Sequence, residues 1–263
     1  MNLTTKMVAT MFIYYKYITR LGGILRMYDV YKHIWYNPCI EFIFDSNIKE
    51  YDIRDAGFSI IQQYHLLPDD EIQRLSRIEK GEKRHKAVGW LERDNKELAK
   101  NLSMHFGKVR ELFINYNKID PDNSIVSVKK DAIFMIGDVK RTKFGLIDFR
   151  VKNEYSSYLR FSNINNLELF YNEEKIDIKG MGDSAVARHR LYMYDFLQNI
   201  FMRFERHDVS IKRYIMNFIT KYKNNELEEN YYVEFNSLSK DINPLFNYQK
   251  ILIPLVELIN KEI

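Results

Sequence analysis

Residues 51–61 have the sequence YDIRDAGFSII, and residues 126–134 have the sequence VSVKKDAIF. In each stretch one aspartate, Asp52 or Asp131, stands at the edge of an apolar run that contains β-branched residues, which is typical of a buried strand. We interpret both stretches as strand segments whose carboxylates lie at the rim of a sheet. If the two segments meet in space, the carboxylate pair predicts a Mg²⁺ site, because Mg²⁺ prefers oxygen ligands.

The composition indicates a globular protein whose charge excess is local. The chain has 263 residues, of which 46% are hydrophobic and 14% aromatic, and this is enough to bury a substantial core in two or three subdomains. Its 40 Lys and Arg residues give a net charge of only +4 against 36 Asp and Glu. A basic tail or a histone-like binder is therefore excluded, and any polyanion must be bound by a local patch.

The sequence predicts a soluble protein of a reducing compartment. Its one cysteine, Cys39, excludes an internal disulfide framework, and we expect the thiol to be buried. We find no signal-peptide pattern and no uncharged apolar stretch of about 18 residues, so we expect no membrane association. The cytoplasm of a bacterial cell is the expected location. Richness in Lys, Asn, Ile, Tyr and Phe is typical of an AT-rich genome, such as that of a phage or a low-GC bacterium.

Hydrophobic spacing predicts helices at both ends of the chain and strands between them. Residues 2–35 are expected to form two helices, and residues 39–44 a strand in a hairpin with the strand that leads to Asp52. A helical region over 68–116 precedes a second hairpin over 125–136 and further strands. From residue 184 to about 224 the pattern is again helical. A short helix is expected to close the chain.

The excess of positive charge is concentrated in the central helical region. Between residues 74 and 110 we count 11 Lys or Arg residues against 5 acidic residues. Several of the basic residues recur three or four positions apart, so they share a helix face. One interpretation is a solvated face with i,i+4 ion pairs such as Glu82 with Lys86. The other is a face that contacts phosphates.

Other nucleotide and metal chemistries have no pattern in this sequence. There is no Walker-type phosphate loop and no GxGxxG after a strand. The six histidines are dispersed without zinc-ligand spacing, and no GxSxG indicates a serine nucleophile. The sequence therefore favours carboxylate-bound Mg²⁺.

Taken in order, five short motifs resemble the palm and thumb of family B DNA polymerases. Asp52 followed by Ser59-Ile60-Ile61 is similar to motif A, and residues 129–134 (KKDAIF) resemble motif C, with Asp131 at its metal-binding aspartate. Residues 80–89 lie where the family has its basic fingers helix. The motif Lys152-Asn153-Glu154-Tyr155 is similar to the one that touches the primer–template duplex, and Lys179-Gly180 resembles the Lys-Gly that precedes the thumb.

The resemblance implies an α+β fold with a polymerase-like palm built on an antiparallel sheet. It covers roughly residues 45–240. The implied domains are an N-terminal helical segment (1–38), a palm (39–183) with short helical fingers inserted at about 68–116, and a C-terminal helical thumb (184–263).

The resemblance also implies a two-metal site for nucleotidyl transfer. Asp52 and Asp131 would be the catalytic carboxylates that hold Mg²⁺ or Mn²⁺, with the backbone carbonyl of Ile53 as a further ligand. The implied contacts of the incoming nucleoside triphosphate are Lys80, Lys83 and Arg84. The implied contacts of DNA or RNA are Lys152, Tyr155 and Lys179.

Three departures from the family pattern bear on activity. Lys129 replaces the first aspartate of motif C, so Asp131 follows two lysines. Gly57 takes the place of the bulky motif A tyrosine of the nucleotide pocket, which implies either tolerance of ribonucleotides or a pocket that is no longer used. The Asn-Ser-x-Tyr-Gly of motif B is absent, and Gly89 alone lies in a similar place.

Three functions are compatible with this sequence. The first is a compact nucleotidyltransferase that acts on a template or primer through Asp52 and Asp131. The second is a polymerase-like fold that has lost catalysis and binds nucleic acid or another protein. The third is an unrelated α+β interaction protein in which the two aspartates are ordinary strand-end residues.

Overall fold

The structure is a computed structural model that describes residues 32–161, 166–180, 198–203, 206 and 210–227, with the backbone of 233–235 and 242–244. The chain divides into two compact units. Among the described residues, the first unit comprises 32–40 and 47–154, and the second comprises 41–46 and the residues from Tyr155 onward. Residues 2–31 of the two predicted N-terminal helices, the start of the helical region predicted from residue 184, and the predicted closing helix lie outside the described residues. The described end of the second predicted helix is wrong, because Ile34 and Trp35 lie in a strand.

A six-stranded antiparallel sheet with helices forms the first unit. The strands are β1 (Ile34–Tyr36), β3 (Ile48–Ile53), β4 (Ile125–Lys129), β5 (Ala132–Ile136), β6 (Lys143–Phe144) and β7 (Ile147–Tyr155), in the order β1-β4-β5-β3-β7-β6. The helices are α1 (Ala56–Tyr64), α2 (Asp69–Arg77), α3 (Glu82–Asp94), α4 (Lys96–Asn117) and α5 (Pro121–Ser124).

The second unit has a four-stranded antiparallel sheet. Its strands are β2 (Phe42–Ile43), β8 (Ser157–Phe161), β9 (Leu167–Asn172) and β10 (Lys175–Lys179), in the order β10-β9-β8-β2. Its core contains the stacked rings of Tyr171 and Phe201, with centroids 5.0 Å apart, and the buried face of α6 (Ile211–Lys223). A separate strand pair is formed by β11 (Val233–Phe235) and β12 (Ile242–Pro244).

Helix α4 covers one face of the six-stranded sheet. Asn95 caps it by accepting a hydrogen bond from the backbone N–H of Leu98 at 3.0 Å. The buried residues of α4 recur every three or four positions, as a core-facing stripe requires, and include Leu98, Leu102, Phe106, Val109 and Phe113. The stripe belongs to the same core cluster as Tyr51 and Ile53 of β3. Because strand side chains alternate between faces, Glu50 and Asp52 lie on the opposite face of the sheet.

The hairpin predicted over 125–136 is confirmed. Lys129 of β4 pairs with Ala132 of β5, and only Lys130 and Asp131 connect the two strands. Lys130 adopts a left-handed conformation with φ of 51°, and its backbone N–H donates to the carbonyl oxygen of His33 at 2.7 Å. The helical region predicted over 68–116 is likewise confirmed as α2, α3 and α4. Helix α6 lies within the helical pattern predicted up to residue 224.

The interpretation of residues 51–61 as a single strand segment is wrong. Strand β3 ends at Ile53, and α1 begins at Ala56. The chain changes direction at Asp55, whose φ of 53° is left-handed, and the carbonyl oxygen of Asp55 accepts a hydrogen bond from the N–H of Ser59 at 2.8 Å. The hydroxyl of Ser59 donates to the carbonyl oxygen of Arg54 at 2.9 Å, which further stabilises the start of the helix.

The strand predicted over 39–44 is also different in the structure. Only Phe42 and Ile43 are in a strand, and they pair with β8 in the second unit instead of forming a hairpin with β3. Phe42 packs against the core cluster of that unit, which accounts for its choice of partner strand. Cys39 is exposed, so the expected burial of its thiol is wrong. It lies in a turn where its backbone N–H bonds the side-chain oxygen of Asn37 at 2.9 Å.

Candidate functional site

The six-stranded sheet places Asp52 beside Asp131. Asp52 is the second-last residue of β3 and pairs with Ala132, the first residue of β5, so the turn residue Asp131 comes next to it. The negative charge of Asp131 acts directly on the Asp52 carboxyl group, which shows that the two side chains lie close together. Asp52 is only 7% exposed. The two acidic segments therefore meet in the structure, as a shared metal site requires.

Arg110 fixes the turn that carries Asp131. This residue of α4 is fully buried, and its guanidinium donates hydrogen bonds to the backbone carbonyl oxygens of Lys130 and Lys32, the latter at 2.9 Å. Burial lowers the pKa of Arg110 to about 10, although the negative charge of Asp131 opposes this effect. Arg110 is therefore still protonated at neutral pH, and a buried positive charge stands beside the turn.

Glu50 adds a third carboxylate on the face that carries Asp52. It lies two residues earlier on β3, is 2% exposed and accepts a hydrogen bond from the side-chain amide of Asn153. Two basic residues of β7 reach these carboxylates. The Lys152 Nζ lies 3.6 Å from Glu50 Oε1 and 3.7 Å from Asp52 Oδ2, and Arg150 Nη2 lies 3.6 Å from Asp52 Oδ2.

Burial and a neighbouring negative charge make Asp52 a weaker acid than an ordinary aspartate. Burial raises the pKa of Asp52, and the charge of Asp131 raises it further, against the opposing charges of Lys152 and Arg150. For Lys152, burial lowers the pKa, but the negative charges of Asp52, Glu50 and Asp131 outweigh this effect and leave the pKa raised. Lys152 therefore interacts electrostatically with all three carboxylates.

Lys129 contacts Tyr36 of β1, on the side of β4 that faces away from β5. Its Nζ lies 4.6 Å from the centre of the Tyr36 ring and 3.3 Å from the Tyr36 hydroxyl. Tyr36 belongs to β1, whereas Asp131 is followed by β5, and β4 separates these two strands. The lysine that stands in place of the first motif C aspartate is thus held toward β1.

The donor atoms of this site fit a hard divalent cation. Carboxylate oxygens of Asp52 and Asp131 are ligands that Mg²⁺ and Mn²⁺ prefer, and a cation between them would relieve their mutual repulsion. Within the described ranges, no three or more His, Cys, Asp or Glu side chains are grouped so as to hold a metal ion. Further ligands would therefore be waters, backbone or substrate phosphates, as is usual for Mg²⁺. The carbonyl of Ile53 stays a predicted ligand at the end of β3.

Arg84, one of the predicted nucleotide contacts, has protein groups as partners. It is 4% exposed, and its guanidinium donates to Asp55 Oδ2 at 2.6 Å. It also donates to the carbonyl oxygens of Ser76 at 2.9 Å and Ile78 at 2.6 Å, and it lies over the Phe58 ring at 4.5 Å. Through these contacts Arg84 connects α3 to the beginning of α1 and to the end of α2.

The other predicted nucleotide contacts differ in their surroundings. Gly57 lies in the first turn of α1, where an added Cβ would be 2.8 Å from Cγ1 of Val88 on α3, so close helix packing requires a glycine. Lys80 and Lys83 are exposed before and within the first turn of α3, and Lys83 Nζ lies 2.6 Å from Glu79 Oε2. A nucleotide-binding role for these residues stays a prediction.

Of the three predicted nucleic-acid contacts, Lys152 alone is part of the carboxylate site. Tyr155, the last residue of β7, lies just past the division between the units and is counted with the second. It is 3% exposed, and its hydroxyl donates a hydrogen bond to Asp177. Lys179 ends β10, where it pairs with Glu168 of β9. Contacts of these residues with DNA or RNA stay predictions.

Sequence reasoning missed three residues of the site: Glu50, Arg150 and Arg110. The first two had a usable signal, because Glu50 and Asp52, like Arg150 and Lys152, are two residues apart on a strand and so share a face. Arg110 had none. It directly follows the apolar residue Val109 of α4, and only the tertiary structure shows that its guanidinium reaches the hairpin turn.

Replacing Asp52 by Asn is expected to stabilise the protein at neutral pH. Folding raises the pKa of Asp52 above its ordinary value of 3.8. The folded protein therefore favours the protonated carboxyl group. The stability that this group contributes is fully present below the ordinary pKa of 3.8 and is lost as the pH rises through the raised pKa of the folded state. Asn stays neutral at every pH, so Asp52→Asn should raise the free energy of unfolding by about 0.5–2 kcal/mol at pH values above the folded-state pKa of Asp52. Urea unfolding between about pH 4 and pH 8 measures this effect. Parallel pH curves for wild type and variant would contradict it, and Asp94→Asn, at an exposed site, is the control.

Comparison with known proteins identifies the family. No helix among the described residues is long and apolar enough to cross a membrane. The chain matches no curated protein. A family model described as Bacteriophage PBS1 gene 130 protein matches residues 25–262, which include every residue of the carboxylate site. This match agrees with a phage source, one of the two that the composition indicated, and it gives no support to the resemblance to family B DNA polymerases. The chain belongs to the Bacteriophage PBS1 gene 130 protein family.

Proposed function

We propose that this protein is a compact, polymerase-like nucleotidyltransferase that acts on a nucleic-acid template or primer. The observation that supports the proposal is the pairing of Asp52 with Ala132, which brings the carboxyl groups of Asp52 and Asp131 together from neighbouring strands. Their partly buried position at the end of a hairpin, held by Arg110, gives the pair a defined geometry.

The reaction joins the 3′-oxygen of a primer strand to the α-phosphorus of a nucleoside triphosphate. The bond from the α-phosphorus to the bridging oxygen breaks, pyrophosphate leaves, and the hydroxyl proton passes to solvent. Bound Mg²⁺ or Mn²⁺ would stabilise the charge on the attacking and leaving oxygens. Asp52 and Asp131 would hold it, while Lys152 and Arg150 supply positive charge for phosphate oxygens. Lys80 and Lys83 are the proposed contacts of the triphosphate.

A second candidate is a polymerase-like module that binds nucleic acid or a protein partner without catalysis. The favouring observation is that the Lys152 ammonium interacts with Asp52, Glu50 and Asp131, so the cluster has an internal cation. Lys129, in place of the first motif C aspartate, also leaves this site with fewer carboxylates than the polymerase pattern.

A primer-extension assay tests the proposal. Labelled primed and unprimed templates are incubated with mixed NTPs or dNTPs and with Mg²⁺ or Mn²⁺. The expected result is incorporation that requires the divalent cation, and comparison of NTPs with dNTPs measures tolerance of the ribose. Lack of incorporation under all conditions, with a retained gel shift of the oligonucleotides, would overturn the catalytic proposal and favour the binding module.

A further inference from the structure

The two tryptophans of the chain have opposite environments. Trp35 is 8% exposed within the core of the first unit, whereas Trp90, on α3, is 61% exposed. Trp90 has the highest exposure among the large hydrophobic side chains that the structure describes. In that part of the chain, Trp90 has no hydrogen bond and no contact with another ring. Its indole is therefore available to a ligand.

The face of α3 that presents Trp90 also presents positive charge. Lys86 and Arg93 are four residues before and three residues after Trp90, so they lie on the same helix face. Their partners are exposed carboxylates: Lys86 Nζ is 2.6 Å from Glu82 Oε1, and Arg93 Nε is 3.1 Å from Asp94 Oδ1. Exposed pairs of this kind contribute little to stability, so the phosphates of a ligand can replace the carboxylates.

The next helix along the chain also carries exposed basic residues. Lys96, Lys100 and Lys108 of α4 are exposed, and none of them has an acidic partner among the described residues. Nine of the 11 basic residues between 74 and 110 are exposed to solvent, since only Arg84 and Arg110 are buried. A polyanion is the ligand that this distribution of charge complements.

The helix position next to Trp90 is not covered by other parts of the described chain. Gly89 precedes Trp90 on α3, and a Cβ added at Gly89 would meet no atom within 4 Å. Bases of a single strand expose their faces and stack on aromatic side chains, whereas bases in a duplex already stack on each other. An indole next to open space and between basic residues therefore fits a single strand better than a duplex.

We infer that Trp90, Lys86 and Arg93 form a surface that binds single-stranded nucleic acid, with a base stacked on the indole of Trp90 and phosphates bound by Lys86 and Arg93. The inference deepens the proposed function, on which it rests for the class of ligand, by naming where the strand is bound. The surface lies outside the Asp52–Asp131 site, so strand binding requires neither a metal ion nor a nucleoside triphosphate.

The test uses the fluorescence of Trp90. In Trp35→Phe, Trp90 is the one remaining tryptophan, so its fluorescence is observed alone. If Trp35→Phe is unstable, the difference in fluorescence between the wild type and Trp90→Phe gives the contribution of Trp90. Each protein is titrated, without divalent cation or nucleotide, with oligothymidylate, an abasic oligonucleotide of equal length and polyglutamate. We expect oligothymidylate to quench Trp90. Binding by the charge variants and by Trp90→Ala, which lacks this fluorophore, is measured by the fluorescence anisotropy of a dye-labelled oligothymidylate, and Trp90→Ala should bind about tenfold more weakly.

Charge variants separate the two parts of the surface. Lys86→Glu is expected to weaken binding and to reduce its dependence on salt, whereas Trp90→Ala should leave the salt dependence unchanged. Lys212→Glu, an exposed site on α6, is the matched control. Equal quenching by the abasic oligonucleotide, or quenching by polyglutamate alone, would overturn the inference in favour of a charge-only or polypeptide-binding surface. The titrations contain no divalent cation and no nucleotide, so their outcome does not depend on catalysis. Failure of the strand-binding inference and failure of the incorporation assay can therefore be told apart.

Discussion

Asp131→Asn is expected to abolish cation-dependent incorporation, with a loss of about a thousandfold or more in rate. The substitution removes one of the two carboxylates that would hold the cation, and a bound cation contributes several kcal/mol of charge stabilisation in the transition state. Asn keeps the size of the side chain and can hydrogen-bond with Asp52. The turn itself is held through the backbone of Lys130 by Arg110 and His33, so the variant is expected to fold.

A second measurement makes this prediction independent of catalysis. Cation binding to the folded state stabilises it by RT ln(1 + L/Kd), where L is the free cation concentration, and so raises the unfolding temperature. We expect Mn²⁺ to raise the unfolding temperature of the wild type and to have little effect on Asp131→Asn. The matched control is Asp138→Asn, because Asp138 is an exposed aspartate of the same unit that pairs with Lys49 at 2.6 Å. Incorporation by Asp131→Asn at the rate of Asp138→Asn would show that the assigned site is wrong.

The hairpin and its acidic turn could be predicted from the sequence because their signals are local. Apolar runs on both sides of Lys130 and Asp131 define β4 and β5, and a two-residue connection fixes their register. The meeting of Asp131 with Asp52 required one further assumption, that β3 lies next to β5. The structure has this pairing, but nothing in the residues of either strand specifies it over pairing with β7 or β8.

What the sequence could not show depends on contacts between distant residues. Strand β3 ends at Ile53, and the left-handed conformation of Asp55 then leads the chain into α1, whereas the apolar pattern alone continues to Ile61. Phe42 packs into the core of the second unit, and this contact determines the sheet that β2 joins. Gly57 suggested an open nucleotide pocket by position, but its close approach to Val88 gives it a packing role.

Arg84→Met is expected to lower the free energy of unfolding by about 3–5 kcal/mol, because it breaks a buried ion pair by removing one partner. The Asp55 carboxylate, whose side chain is only 18% exposed, would lose its 2.6 Å partner. The carbonyl oxygens of Ser76 and Ile78 would lose their hydrogen bonds as well. Chemical denaturation at neutral pH measures this effect, with Lys83→Met as the adjacent control. Lys83 and Glu79 are both about 70% exposed, so that substitution should cost less than about 1 kcal/mol.

Asp55→Asn combined with Arg84→Met separates a structural role of Arg84 from a role in nucleotide binding. Neutralising Asp55 removes the uncompensated charge, so the double variant is expected to recover part of the stability that Arg84→Met loses. If Arg84 instead binds the triphosphate, Arg84→Met will lose incorporation while its unfolding free energy stays near that of wild type. For Lys83→Met, the same pair of measurements should show unchanged stability and weaker use of the nucleotide. The basic helix α3 would then have two kinds of cation, a buried one that joins three helices and exposed ones that are available to phosphates.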